Sequence, residues 1–132
     1  MKIAVITNGG DTISQHFGRA THYLVATIEN DQIINRELRE KTNHYQLQDV
    51  SHNHDEPGQK HGFGKQSHEK HMEMTEPILD CEVLICRGMG LGAFESVKTR
   101  GIRPILTDIK LIDDALKAYI KGELVNRVDL LH

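Results

Sequence analysis

Three groups of residues carry side chains or backbone capable of chemistry. Nine histidines are present among 132 residues, and six of them, His44, His52, His54, His61, His68 and His71, fall within 28 residues. Neutral imidazole ligates zinc, nickel, copper and iron, and His68 and His71, three apart, would share one helix face. The spacings match no structural zinc pattern, and the segment lacks cysteine. Two readings stay open: an irregular or ligand-induced metal site, or a solvated polar loop in which histidines accumulate.

The second group is the glycine-rich run Cys86-Arg87-Gly88-Met89-Gly90-Leu91-Gly92-Ala93. Glycines at alternate positions between a strand and a helix let backbone approach a ligand closely, and the unpaired N–H groups of a helix start favour an anion. Arg87 adds a fixed positive charge. The run is neither a P-loop nor the dinucleotide fingerprint, since it lacks both Gly-Lys-Ser/Thr and G-x-G-x-x-G. Cys86 sits where the strand meets this turn, and a neighbouring helix N-terminus would lower its pKa. It is either a soft ligand for a metal cluster or a residue of strand-end packing.

The third group is Ile13-Ser14-Gln15-His16-Phe17-Gly18-Arg19-Ala20. On residue type alone, His16 reads as a packing or capping histidine before it reads as a ligand.

The elements that must position these groups follow from periodicity. Lys2–Thr7 is a short apolar, β-branched run, expected as a buried central strand. Tyr23–Glu29 and Gln32–Arg39 form a hairpin across Asn30-Asp31, and the charged second strand suits a sheet edge. Lys41 to about Gln66 has no sustained period and is expected as a long loop, the His-rich loop at about 41–70. His68–Leu79 reads as a helix with Met72 and Leu79 facing inward, kinked at Pro77. Beyond it, strand Glu82–Cys86, helix Ala93–Arg100, strand Ile102–Thr107 and helix Ile109–Lys121 alternate, giving a parallel pair with right-handed crossovers. Pro104 implies that its strand's hydrogen bonding is incomplete or that it lies at an edge. The helix from Ile109 puts Ile112, Ala115, Leu116, Tyr119 and Ile120 on one face. In such a sheet the loops beyond the strands' carboxyl ends share one crevice, so His16 and the glycine turn should be neighbours.

Composition narrows the function classes. At 132 residues the chain is expected to be one domain, 1–132, and a net charge of −3 disfavours nucleic acid. No apolar run approaches the ~20 residues that span a bilayer, and no signal-peptide pattern opens the chain, so no membrane role and a cytoplasmic location are expected. Cys81 and Cys86 are too few for a disulfide framework and are expected as free thiols. No Ser-His-Asp grouping is apparent, and the first strand carries none of the carboxylates that metal-dependent nucleases place there.

Taken in order, four segments resemble the dinitrogenase iron–molybdenum cofactor biosynthesis family: Met1–Val5, Ile13–Ala20, Asp80–Gly90 and Gly101–Ile105. The resemblance spans nearly the whole chain outside ~41–70. It implies an α/β, ribonuclease-H-like three-layer fold with a mixed five-stranded sheet, without nuclease activity. It also implies non-enzymatic carriage or scaffolding of an iron–sulfur or iron–molybdenum type cluster, with donor and acceptor proteins as partners. By this resemblance His16 becomes the preferred cluster ligand, with Cys86 as a further candidate. Phe17, Gly18 and Arg19 then belong to the same binding motif, and Arg87, Gly88, Met89, Gly90 and Gly92 form the cradle. The chain lacks the three-cysteine motif of the radical enzymes that build the precursor, so only the carrier part is expected. A divalent-metal sensor or storage module, holding Zn or Ni on the loop histidines, is the alternative.

Overall fold

A computed structural model describes residues 1–41 and 74–131. Five strands form one mixed sheet: β1 (Lys2–Thr7), β2 (His22–Glu29), β3 (Gln32–Glu40), β4 (Val83–Cys86) and β5 (Arg103–Leu106), in the order β3-β2-β1-β4-β5. Helices α1 (Leu91–Thr99) and α2 (Ile112–Ile120) follow β4 and β5. β1 is the seam, pairing antiparallel with β2 on one side and parallel with β4 on the other. β4 and β5 are parallel.

Local sequence explains most of these boundaries. Glu29 pairs directly with Gln32 across a two-residue turn in which Asn30 and Asp31 both have positive φ, 52° and 62°, as the right-handed strand twist requires. Pro104 lies on the outer strand, where its missing N–H interrupts no ladder. That edge is covered by the C-terminal segment. The Asn126 side chain accepts from Leu106 N–H at 3.0 Å and donates to Pro104 O at 3.3 Å, while Arg127 N–H donates to Leu106 O at 2.8 Å. α2 buries Ile112, Ala115 and Leu116, half-buries Tyr119 and Ile120, and ends at Gly122 with φ 74°.

Strand pairing assigns the two faces of the sheet, because paired residues share a face. Ile3, Val5, Leu24, Val83, Ile85 and Ile105 line one, and the ion pair between Arg36 and Asp113 ties α2 to that side. Tyr23, Arg39, Leu84 and Cys86 line the other. There Tyr23 Oη–H donates to Met74 O at 2.6 Å and Arg39 to Pro77 O at 2.7 Å. α1 reaches the same segment through Arg100–Glu76 at 2.7 Å.

One expectation changes. Within the expected helix His68–Leu79, residues 74–75 are helical and run into a turn of 3₁₀ helix, Glu76–Ile78, around Pro77. Leu79, expected to face inward, is exposed, whereas Met74 and Ile78, four apart, form the buried face. Met72, residues 68–73 and the loop from 42 onward lie outside the described residues. Among the described residues no helix is long and apolar enough to cross a membrane.

Asp80 clamps this turn to the sheet, accepting from Arg39 at 2.7 and 3.0 Å and from Lys2 at 3.0 Å. Chiefly the Arg39 hydrogen bonds hold its carboxyl well below the ordinary 3.8. Because the folded value is depressed, the contribution is present above pH ~4 and fades as pH falls below it. The clamp is half exposed, so it contributes about 1 kcal/mol or less. Asp80→Asn should lower the melting temperature slightly at pH 7 and by less at pH 3, as followed by circular dichroism.

Candidate functional site

The loop after β1 is shaped by its own backbone bonds. Thr7 Oγ accepts from Gly10 N–H at 2.8 Å, and Gly10, at φ 100°, adopts a conformation that side-chain-bearing residues avoid. The chain then zips onto the loop before α2: Ile13 N–H donates to Lys110 O at 2.8 Å and Ile112 N–H to Asp11 O at 3.0 Å. Ser14 Oγ lies 3.4 Å from His16 N, and the turn Phe17–Arg19 follows. Arg19 and Ala20 N–H both donate to His16 O at 3.2 Å. Phe17 is buried and anchors the turn from below, leaving His16 exposed above it.

The glycine turn arrives from β4. Phe17 N–H donates to Gly88 O at 3.3 Å, which joins the histidine motif to the glycine turn directly. His16, Gln15, Arg87, Gly88, Asp108 and Leu130 line one open crevice of about 360 Å³ at the carboxyl ends of β1, β4 and β5. The expected meeting of the two motifs is therefore observed.

Within the crevice Arg87 is half buried. Its Nε is enclosed without a hydrogen-bond partner, and no carboxylate pairs with it among the described residues. A buried donor left unmade is costly, so the guanidinium favours an acceptor or anion beside it. Asp108 differs: Arg127 holds it at 3.1 Å while also gripping Asp129 at 2.8 and 3.0 Å. The C-terminal segment thus supplies a wall, through Leu130, and a counter-charge. A second hollow of about 400 Å³, bordered by Phe94, Lys98, Arg103 and Asn126, contains no histidine, cysteine or carboxylate.

Other sequence candidates occupy different places. Cys86 is fully buried on the sheet face shared with Tyr23, and desolvation pushes its thiol pKa up, with Lys41 only partly opposing the rise. The expected lowering by the helix start is thus reversed, because the side chain is buried in the core, where the charged form is desolvated. Cys81, also a free thiol, is pushed up to about 12, mainly by burial and then by Asp80. The Met89 side chain is buried, while its backbone bridges to Leu131. Gly90 caps α1 and Gly92 lies in its first turn. Gly18 and Arg19 belong to the turn after His16 rather than to the crevice lining. His44, His52, His54, His61, His68 and His71 lie outside the described residues.

Sequence reasoning passed over Gln15, Asp108 and Leu130 as lining residues. Asp108 was legible in principle, because it leaves a parallel strand at its carboxyl end, where ligands bind in open α/β sheets. Leu130 carried no such signal.

Fold and site together define a small α/β domain with a mixed sheet, whose crevice offers, among the described residues, one exposed imidazole and one guanidinium without a carboxylate partner. The family model for dinitrogenase iron–molybdenum cofactor proteins matches residues 1–122, and the chain belongs to that family. An uncharacterized protein of Methanocaldococcus jannaschii is 27% identical over 124 residues, covering 94% of this chain and 89% of that protein. Among solved structures, a candidate dinitrogenase from M. jannaschii is similar at TM-score 0.60 and 13% identity, covering 94% and 91% of the two chains. The apo form of the orange protein from Desulfovibrio gigas is similar at 0.57 and 19%, covering 93% and 89%. These structures share the fold.

Burial and raised pKa make both thiols poor nucleophiles at neutral pH. Iodoacetamide at pH 7.5 should label Cys86 and Cys81 far more slowly in the folded protein than in urea, with Cys86 the slower, as read by mass spectrometry.

Proposed function

We propose that this protein holds an iron–sulfur or iron–molybdenum type cluster for transfer between partner proteins and performs no bond chemistry of its own. The observation that carries this reading is the Phe17–Gly88 backbone bond, which brings exposed His16 and Arg87, with its enclosed, unbonded Nε, to one crevice. Membership of a family named for the iron–molybdenum cofactor supports the class of cargo.

In this reading His16 donates a ring nitrogen to iron, while Arg87 offsets the negative charge of the cluster's sulfides. Phe17, Gly18 and Arg19 hold the histidine turn, and Gly88, Gly90 and Gly92 keep backbone close to the cargo. Cys86 would become a ligand only if β4 opened. Met89 acts through packing.

The donor set bears on what the cargo is. A bare zinc ion takes about four protein ligands. The crevice brings only His16 and Asp108 of that kind, and no group of three or more histidine, cysteine or carboxylate side chains forms among the described residues. A preassembled cluster carries its own bridging sulfides and needs few protein ligands. In this reading the fold is a ribonuclease-H-like three-layer one, without that enzyme's chemistry.

Metal and acid-labile sulfide should be measured on protein purified without oxygen, beside His16→Ala and a version lacking residues 44–71. Iron with sulfide that survives the deletion and is lost in His16→Ala supports the reading. Zinc or nickel without sulfide, lost on deletion and weakened as pH falls through ~6.5, would replace it with the histidine-loop metal module.

Charge is tested separately. Arg87→Gln should weaken cluster retention on the order of tenfold, the loss expected for a charge-assisted contact. Arg127→Gln should also weaken it, by leaving Asp108 without its counter-charge beside an anionic cargo. Both effects should shrink at high salt.

A further inference from the structure

Lys41 is the only charged side chain in the core among the described residues, at 3% exposure. It follows β3 directly, and its backbone N–H donates to Thr21 O at 2.9 Å. The ammonium has no carboxylate partner among the described residues. Its Nζ instead lies 3.3 Å from Ala20 O and 3.5 Å from Met74 Sδ, and 4.7 Å from the centroid of the Phe17 ring. Tyr23 Oη–H is spent on Met74 O, and Cys86 is a thiol whose pKa burial has raised.

Packing alone does not call for a charge in this place. A methionine side chain has nearly the same length, and a buried ammonium without an anion is costly. Burial pulls the Lys41 pKa from 10.5 down to about 8, so the charged form opposes folding at neutral pH.

The contacts show what the charge acts on. Phe17 opens the short turn after His16, and Ala20 closes it. The ammonium lies over the ring of the first and donates to the carbonyl of the last. It therefore grips both ends of a three-residue turn too short to hold its shape by its own hydrogen bonds.

We propose that Lys41 is the positioning residue for His16, its buried ammonium clamping Phe17 and Ala20 so that the imidazole stands in the crevice. This deepens the cluster-holding reading and rests on it for its functional consequence, whereas its structural part can be judged without cargo.

The test is Lys41→Met in the full chain, read by amide hydrogen exchange in cargo-free protein, thermal melting and iron retained after gel filtration. Arg19 and Ala20 amides should exchange on the order of tenfold faster, with the sheet amides unchanged. The melting temperature should stay equal or rise, because an uncompensated charge has been removed. Iron retention should nevertheless fall severalfold, a separation that loss of packing would not produce.

Unchanged exchange at residues 16–20 overturns the proposal, and so does faster exchange spread evenly over the sheet. Should Lys41→Met not fold, Lys41→Gln is read by the same amides and the same criteria. A wild-type chain that retains no cluster would overturn the cluster-holding reading instead, with the exchange result still deciding the role of Lys41.

Discussion

The crevice exists because β1, β4 and β5 run in the same direction. Parallel strands release their carboxyl ends at one end of the sheet, and the three loops that leave them must pack against one another. Two sets of backbone bonds make that packing specific: Phe17 to Gly88, and Asp11 and Ile13 to the Lys110–Ile112 segment. His16 and Arg87, 71 positions apart in the chain, thereby become neighbours. The β2–β3 hairpin plays a different part. It runs antiparallel to β1, places its turn at the opposite end and covers the flank of the seam strand.

The faces of the sheet divide the labour. Toward α2 the inner strands present hydrocarbon, with Ile3, Val5, Leu24, Val83, Ile85 and Ile105 on one side. Burial of that surface is the main non-directional contribution to folding. Toward the 74–80 segment the sheet carries Tyr23, Cys86 and Arg39, with Lys41 packed beside them, so contacts there are directional. A hydroxyl finds the Met74 carbonyl, a guanidinium the Pro77 carbonyl, and an ammonium the Ala20 carbonyl. Hydrogen bonds of this kind add modestly to stability but fix geometry, because the alternative is a buried donor without a partner. The polar face is also the one beneath the histidine turn.

Much of this was legible in the residues. The strands, the Asn30-Asp31 turn, the edge position of Pro104 and the meeting of the two motifs follow from local rules of period, turn chemistry and strand direction. Side-chain direction within the glycine turn was not. Cys86 and Met89 sit beside glycines that line or border the crevice, yet their own side chains point into the core, and a motif read as a string carries no inside and outside. Leu79 misled for a related reason, since the buried face of its segment falls on Met74 and Ile78, one position before the residue that the period placed inward. Lys41 was illegible because a lysine at the end of a charged edge strand reads as solvated. Only the tertiary approach of Met74 and Phe17 encloses it.

The charges around the crevice point to what it can hold. Arg87 faces it with an enclosed donor and, among the described residues, no carboxylate, whereas the carboxylate of Asp108 is already engaged by Arg127. Among the described residues, a small cation would meet the guanidinium as repulsion and would find two side chains, His16 and Asp108, able to ligate it. An anionic body large enough to span the opening would meet that guanidinium as attraction and would need one exposed imidazole to fix its orientation. Arg87 is half buried, so its field is screened less than that of a surface charge across the Debye length of ~8 Å at physiological salt. In this arrangement orientation comes from a single ligand on a rigid turn and attraction from a charge on the neighbouring loop. Under the proposed function, loss of the one ligand bond would then be enough for the cargo to leave, as a carrier requires.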